Sequence, residues 1–385
     1  MKYTHYSFRL TTVALVLAAL ACSFGSTDPS ATETAIAAQV MTQLAPAQTP
    51  NSQPPTSSLQ PPTVPPAIGD TPREAAISDF TPCSGYNATT PDGKPQQGYG
   101  PWASRLMLAF SDDGLNFTRA NQILADQADV PDAITAADGE IRVYFIIMCP
   151  EEVRNKVVVA LSRDAVSWTY KKTTIHGLEG LIPSAVDPTV ERAPDGKYRL
   201  YFTSAPQEGG FEGARSYSAI SEDGFTFTRE DGERFAVEGQ LVLDPNILLI
   251  GNTWHYFAGG APGSNYHATS PDGLDFTRAD DFMIENILMA NGLAVDGGYR
   301  YYGFVQSRDG SSHIRSLFTA DGVTWTADAG NRLELDTSSG LEAAGVKDPA
   351  VSRLPDGRYL MIYSTVIQGY PTPQPPSPGG GPPPP

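Results

Sequence analysis

The stretch VDPTVERAPDGKYRLYFTS, Val186 to Ser204, reads as a β-hairpin. Asp187-Pro188 opens it, and Val190 to Ala193 form a short first strand. Asp195-Gly196 supplies a tight turn, because glycine tolerates positive φ and aspartate tolerates the left-handed region. In the second strand Tyr198, Leu200 and Phe202 share one face, and Arg199, Tyr201 and Thr203 share the other. A hairpin this small cannot bury its own apolar face. It needs copies of itself.

The copies are present. They start at Val130 (VPDAITAADGEIRVYFIIM), Leu243 (LDPNILLIGNTWHYFAGG), Ala290 (ANGLAVDGGYRYYGFVQ) and Lys347 (KDPAVSRLPDGRYLMIYST). A box of strand, Asp-Gly or its relic, aromatic and Thr follows the first four hairpins: LSRDAVSWT from Leu161, ISEDGFTFT from Ile220, TSPDGLDFT from Thr269 and FTADGVTWT from Phe318. A fifth box, FSDDGLNFT from Phe110, precedes the first hairpin. A period of about 50 residues marks a propeller or solenoid, and four strands per unit suits a propeller blade.

The offset of boxes against hairpins implies how the ring closes. The hairpin at Asp348 to Thr365 has no box after it, and the box at Phe110 to Thr118 has no hairpin before it. One blade built from both ends of the chain leaves no open edge. The expected fold is an all-β, five-bladed propeller over residues 80–368, closed by pairing N- and C-terminal segments in one blade.

Residues 1–21 carry Lys2 and Arg9, then an apolar run from Leu10 to Ala21 that is short for a membrane span. This reads as a secretory signal, and Cys22 directly after it suggests a lipidation site. Residues 22–79 are rich in Pro, Thr, Ser, Gln and Ala, a composition expected of a disordered, semi-extended spacer. Residues 369–385 form a Pro/Gly-rich tail. The expected location is extracytoplasmic, secreted or held at the cell surface, with the membrane touched only through an N-terminal lipid.

A net charge of −17 argues against nucleic acid as a partner. An oxidising compartment permits a disulfide between Cys83 and Cys149, which would pin the N-terminal segment to the first full blade. No Cys/His spacing suits zinc, and no P-loop, nucleophile elbow or dinucleotide fingerprint appears, so neither metal nor cofactor is expected. His176, His255, His267 and His313 are scattered singly. A monomer is expected.

Two repeated positions hold carboxylates. The box aspartates recur in every blade and read as structural: each accepts turn amides while Phe117, Phe227 or Phe276 packs between blades. Asp132, Asp187, Asp244, Asn291 and Asp348 are each expected to start the first strand of a blade. If that strand is innermost, these side chains ring the central funnel, where converging carboxylates raise each other's pKa. Glycoside hydrolysis uses such a pair, one protonated and one ionised.

The D-P-x-V-x-x-x-P-D-G-x-Y-x-L-Y hairpin, repeated with S-x-D-G-x-x-F/W boxes, resembles the five-bladed propeller glycosidases of glycoside hydrolase families 43, 32, 68 and 130. The resemblance covers the folded domain. Family 43 implies a base at Asp132, a pKa-tuning carboxylate at Asp244 and the acid at Asn291, which as an amide cannot donate the proton. Family 32 implies a nucleophile at Asp132, a stabilising carboxylate at Asp187 and an acid at Asp244. Glu238, Glu285 and Glu342 each lie six residues before a hairpin start, and Glu179 lies eight before. Glu285 and then Glu342 are the nearest replacements for the acid. These residues make a glycan-directed hydrolase of oligo- or polysaccharide, furanosidase-type, the first reading. In it Asp132 is the ionised carboxylate, Asp187 and Asp244 tune it, and Asn291, Asp348, Glu285 and Glu342 bind substrate. The alternatives are a carbohydrate-binding propeller without catalysis and a protein-interaction propeller.

Overall fold

Each repeat becomes one antiparallel sheet around a common axis. The computed structural model describes residues 77–371, apart from 90–92, 95, 97–98, 183, 209–212, 260–264 and 307–311. The leader, Cys22, most of the spacer and the tail beyond residue 371 lie outside the described residues.

Blade 1 runs outward through Ala128–Thr135, Ile141–Ile147, Lys156–Ser162 and Thr169–Lys172. Blade 2 uses Val186–Arg192, Tyr198–Ser204, Arg215–Ser221 and Thr226–Arg229, with Thr174–His176 added in parallel at its outer edge. Blade 3 uses Leu243–Ile250, Thr253–Gly259, Asn265–Ser270 and Thr277–Arg278. Blade 4 uses Leu288–Val295, Gly298–Gln306, Ser312–Thr319 and Thr326–Ala327. Blade 5 pairs Val346–Arg353 and Tyr359–Val366 with Ser104–Ser111 and Thr118–Asp126 from the other end of the chain. The closing register is unbroken from Ser104 opposite Val366 to Ser111 opposite Tyr359. The five-bladed ring is closed as the offset implies. Helical pieces among the described residues are three-residue 3₁₀ turns such as Pro101–Ala103.

The boxes form the turns on one face. In each, the aspartate accepts two backbone N–H groups, as Asp223 does from Phe225 and Thr226 at 2.8 and 2.9 Å. The preceding hydroxyl closes the turn: Ser221 Oγ accepts the Gly224 N–H at 2.9 Å. The next link joins blades. Tyr144 of blade 1 donates to the Gly224 carbonyl of blade 2 at 3.0 Å, Tyr201 of blade 2 to Gly273 of blade 3 at 2.8 Å, and Tyr302 of blade 4 to Gly114 of blade 5 at 2.7 Å. The box aromatics Phe227, Phe276 and Phe117 pack edge-on against those same tyrosines. A Cβ on Gly224 would lie 2.4 Å from Arg142 Nη1 and 2.7 Å from the Tyr144 hydroxyl, so the approach of the neighbouring blade demands glycine there.

Outside the ring, Cys83 and Cys149 form a disulfide with Cα atoms 5.6 Å apart. It ties the N-terminal segment to blade 1, into whose core Phe80 is buried.

The first strands differ from the sequence expectation. In blade 2 the strand starts at Val186, and Asp187-Pro188 lies inside it at a bulge, between the pairs Val186–Thr203 and Thr189–Tyr201. Bulges recur at Val130-Pro131, Asp244-Pro245 and Asp348-Pro349. At all four, the residue before proline has φ between +45° and +53°. Asp132 and Asn291 are thus not equivalent to Asp187. They follow the bulge, at the level of Thr189, Asn246 and Ala350. In blade 1 the position of Asp187 is held by Val130.

Candidate functional site

The bulges decide what faces the open end of the ring. A bulged residue is turned out of the ladder. Here Asp187, Asp244 and Asp348 are turned into one cavity at the starts of the inner strands, together with Val130, Ala290 and Phe304. The enclosed space is small, about 70 Å³.

The carboxylates are partly covered and electrostatically linked. Asp187 Oδ2 accepts the backbone N–H of Asp244 at 3.3 Å. Burial pushes Asp187 up to about 6; that N–H opposes the rise, and the charges of Asp348 and Asp129 add to it. Asp244 is pushed well above the usual carboxylate range, by burial and then by Asp187 and Asp348. Burial also raises Asp348, but Lys347 holds it back.

Lys347 is the cation of the cluster. Its Nζ bonds Asp348 Oδ2 at 2.5 Å and the two oxygens of Asp129 at 3.0 and 3.1 Å. Ser104 Oγ adds a bond to Asp129 at 3.0 Å. Sequence reasoning missed Asp129 and Lys347. Each stands just before its blade's bulged residue, so a charged residue at the first turn-in of an inner strand was the available signal. Three buried polar atoms near this level have no protein partner: Thr203 Oγ1, Ser364 Oγ and Asn246 Oδ1. Thr203 and Ser364 pair across the ladder with Val186 and Lys347, directly beside two of the bulges. Buried hydroxyls of this kind are the sort that water or a ligand satisfies.

Asp132 is placed elsewhere. It is 2% exposed and does not line the mouth. Its Oδ2 accepts the Val190 N–H of blade 2 at 2.7 Å, and its Oδ1 accepts the Asn291 amide at 2.9 Å. Asn291 Oδ1 in turn accepts the Val351 N–H of blade 5 at 2.8 Å. This chain sews four inner strands together. Burial raises Asp132 to about 6 against both bonds. Glu191 lies close enough for the Asp132 charge to raise it further.

The two glutamates also stand apart from the mouth. Glu342 is fully buried in blade 5, where Arg119, the Tyr363 hydroxyl at 2.7 Å and the Asp336 N–H at 3.0 Å occupy its oxygens. Glu285 is exposed and pairs with Arg315. Neither is positioned to replace an acid at Asn291. His255 and His267, read singly from the sequence, are in fact stacked, with Nδ1 and Nε2 3.2 Å apart, beside Phe257 and away from the mouth. Among the described residues, no three His, Cys, Asp or Glu side chains are placed to hold a metal ion.

No family model and no curated protein matches the chain. Solved structures do. A thermostable family-43 glycoside hydrolase is similar at 14% identity and a TM-score of 0.47, over 64% of this chain and 96% of that one. An α-L-arabinofuranosidase from Clostridium thermocellum follows at 13% and 0.46, over 60% and 80%. A family-130 protein, in a group of mannoside phosphorylases said to contain hydrolases of β-1,2 mannosidic linkages in Candida mannan, stands at 14% and 0.46, over 61% and 83%.

Proposed function

We propose that the chain is a glycan-directed propeller with glycoside hydrolase-like chemistry at Asp187, Asp244 and Asp348. The observation that carries this is the split imposed on three carboxylates at one mouth. Asp244, with no cation bonded to it and with Asp187 and Asp348 beside it, is driven toward the protonated form, while Asp348 keeps Lys347 at 2.5 Å. One proton-bearing and one ionised carboxyl around a shared cavity is what acid/base cleavage of a glycosidic bond requires. Asp244 donates to the leaving oxygen, Asp348 is the ionised partner, and Asp187 holds hydroxyls and tunes Asp244. Asp132 and Asn291, committed to inner-strand N–H groups, hold the ring.

The repeated hairpin motif supports carbohydrate as the ligand class, and the small mouth suits the end of a chain. The apolar run before Cys22 supports export and tethering. A Cys22→Ala form released from membranes into the soluble fraction is the expected outcome. A binding-only reading draws on Val130, which removes the carboxylate from blade 1.

The test is a panel of aryl glycosides and oligosaccharides with Asp244→Asn beside the parent. Loss of a general acid should lower kcat by about 10²–10⁴-fold with binding retained. Turnover unchanged in Asp244→Asn removes the acid assignment. Binding without turnover in the parent selects the binding-only reading, and neither binding nor turnover rejects both.

A further inference from the structure

A second cavity, larger than the mouth, opens on the same face. It measures about 270 Å³ and is lined by Gly213 to Arg215 and by Ala236 to Gln240. Arg215 starts the third strand of blade 2, and residues 236–240 lead toward the first strand of blade 3. Both therefore lie at the end of the blades where Asp187 and Asp244 are found.

The cavity is built rather than incidental. Val242 N–H donates to the Ala214 carbonyl at 3.1 Å, and the Gln240 N–H donates to Val237 at 3.1 Å. Arg215 is fixed by Gly213 O at 3.0 Å and Glu233 at 2.5 Å. Glu238 and Gln240, both exposed, also line it. The lining thus offers donors and acceptors beside the apolar Ala214 and Val237. Arg215 is paired with Glu233 and Glu238 adds a carboxylate, so the lining disfavours an anionic ligand and suits an uncharged, hydroxyl-rich one.

One continuous segment joins it to the mouth: Val242, bonded to the Ala214 carbonyl of the lining, lies two residues before Asp244 in the chain. We infer that this cavity is a distal saccharide subsite, filled by a neutral sugar unit of the same glycan whose end occupies the mouth. The inference rests on the reading of the mouth as a glycan site and adds that the substrate is an oligosaccharide rather than a single sugar. One unit at Asp244 and another beside Arg215 are bridged by the intervening residues of a short chain.

The experiment uses the full chain carrying Asp244→Asn, so that substrate survives, and measures binding of neutral oligosaccharides of increasing length by calorimetry. Affinity should rise at the length that reaches the cavity. Ala236→Trp, which fills the cavity from an exposed position, should remove that gain, about 10-fold, and leave the shortest ligand unaffected. Gln240→Ala should remove part of it. Length-dependent binding that neither variant alters overturns the subsite and leaves the mouth standing. Binding with no length dependence does the same. Absence of any glycan binding, by this protein and by the parent, overturns the mouth reading and the subsite together.

Discussion

The two faces of the propeller treat aspartate in opposite ways. On the turn face, Asp164 accepts the N–H groups of Ser167 and Val166, which pull its carboxyl down to about 2. Asp223, Asp272 and Asp321 are likewise lowered. On the mouth face, Asp187 is raised to about 6 and Asp244 well above the usual carboxylate range, because burial and like charges are met by few donors. Recurrence in the sequence therefore did not separate scaffold from site. Hydrogen-bond satisfaction does: one set of carboxylates is saturated by its own turn, and the other is held in mutual repulsion. Repulsion of that kind costs stability, and the proposed acid/base role gives it a use.

The strongest way to break the comparison is to show that the turn face tolerates change. Gly224→Ala puts a Cβ into Arg142 and Tyr144 at a φ of +79°. It should cost about 2–4 kcal/mol, combining backbone strain with the loss of two inter-blade bonds. Denaturant unfolding with the midpoint unchanged would show that the Tyr-to-box link does not hold the blades.

Asp132→Asn comes next. The amide that replaces the carboxylate must point its NH₂ at the Val190 N–H or at the Asn291 amide, both donors. A loss of about 1–3 kcal/mol is expected. Activity per folded molecule should be retained, since the side chain does not reach the mouth. An intact melting curve with lost turnover would return Asp132 to the site.

The mouth should show its strain as pH dependence. Asp187 binds its proton more tightly folded than unfolded, so it favours the native state most below pH 4, and that advantage is lost as pH rises through about 6. Asp187→Asn keeps an acceptor for the Asp244 N–H and removes the charge. It should leave stability unchanged at pH 4 and raise it by about 1–2 kcal/mol at pH 7.5, allowing for solvent at the open end. Equal shifts at both pH values would mean that Asp187 carries no ionisation penalty. Urea titrations of parent and variant at the two pH values decide it.

The fold was legible because every blade repeats its turn chemistry, and the unmatched box and hairpin declare the closure. The site was only partly legible. Aligning the repeats on aspartate set Asp132 and Asn291 beside Asp187. Aligning them on proline would have set Val130 there, because Val130-Pro131, Asp187-Pro188, Asp244-Pro245 and Asp348-Pro349 share one bulge. A bulge inserts a residue and turns the side chains that follow, so an offset of two residues separates a mouth carboxylate from a buried tie. The pairing of His255 with His267 was hidden for another reason. It crosses two strands at the blade 3 position where blades 1, 2 and 4 carry Arg142, Arg199 and Arg300.

The smallest effect tests the turn face where it departs from its own rule. Blade 1's box carries Ala165 in place of glycine, at φ +57°. The neighbouring blade is blade 5, whose second strand has Leu360 and Ile362 at the levels where blade 2 has Arg199 and Tyr201. No hydroxyl or guanidinium descends on the turn from those positions, so a methyl group fits, and Ala165 is fully buried in the core shared by blades 1 and 5 with Leu360 and Ile362. Packing gained by the methyl then opposes the backbone cost of a left-handed alanine. That cost is about 1 kcal/mol, and burying one methyl returns a comparable amount. Ala165→Gly should accordingly change stability by under about 1 kcal/mol in either direction. Ile362→Tyr in the parent should destabilise, because the new hydroxyl meets the Ala165 methyl, and Ala165→Gly should then rescue it. A double-mutant cycle with no coupling between the two positions would show that glycine at the other four boxes is set by the turn alone and owes nothing to the blade beside it.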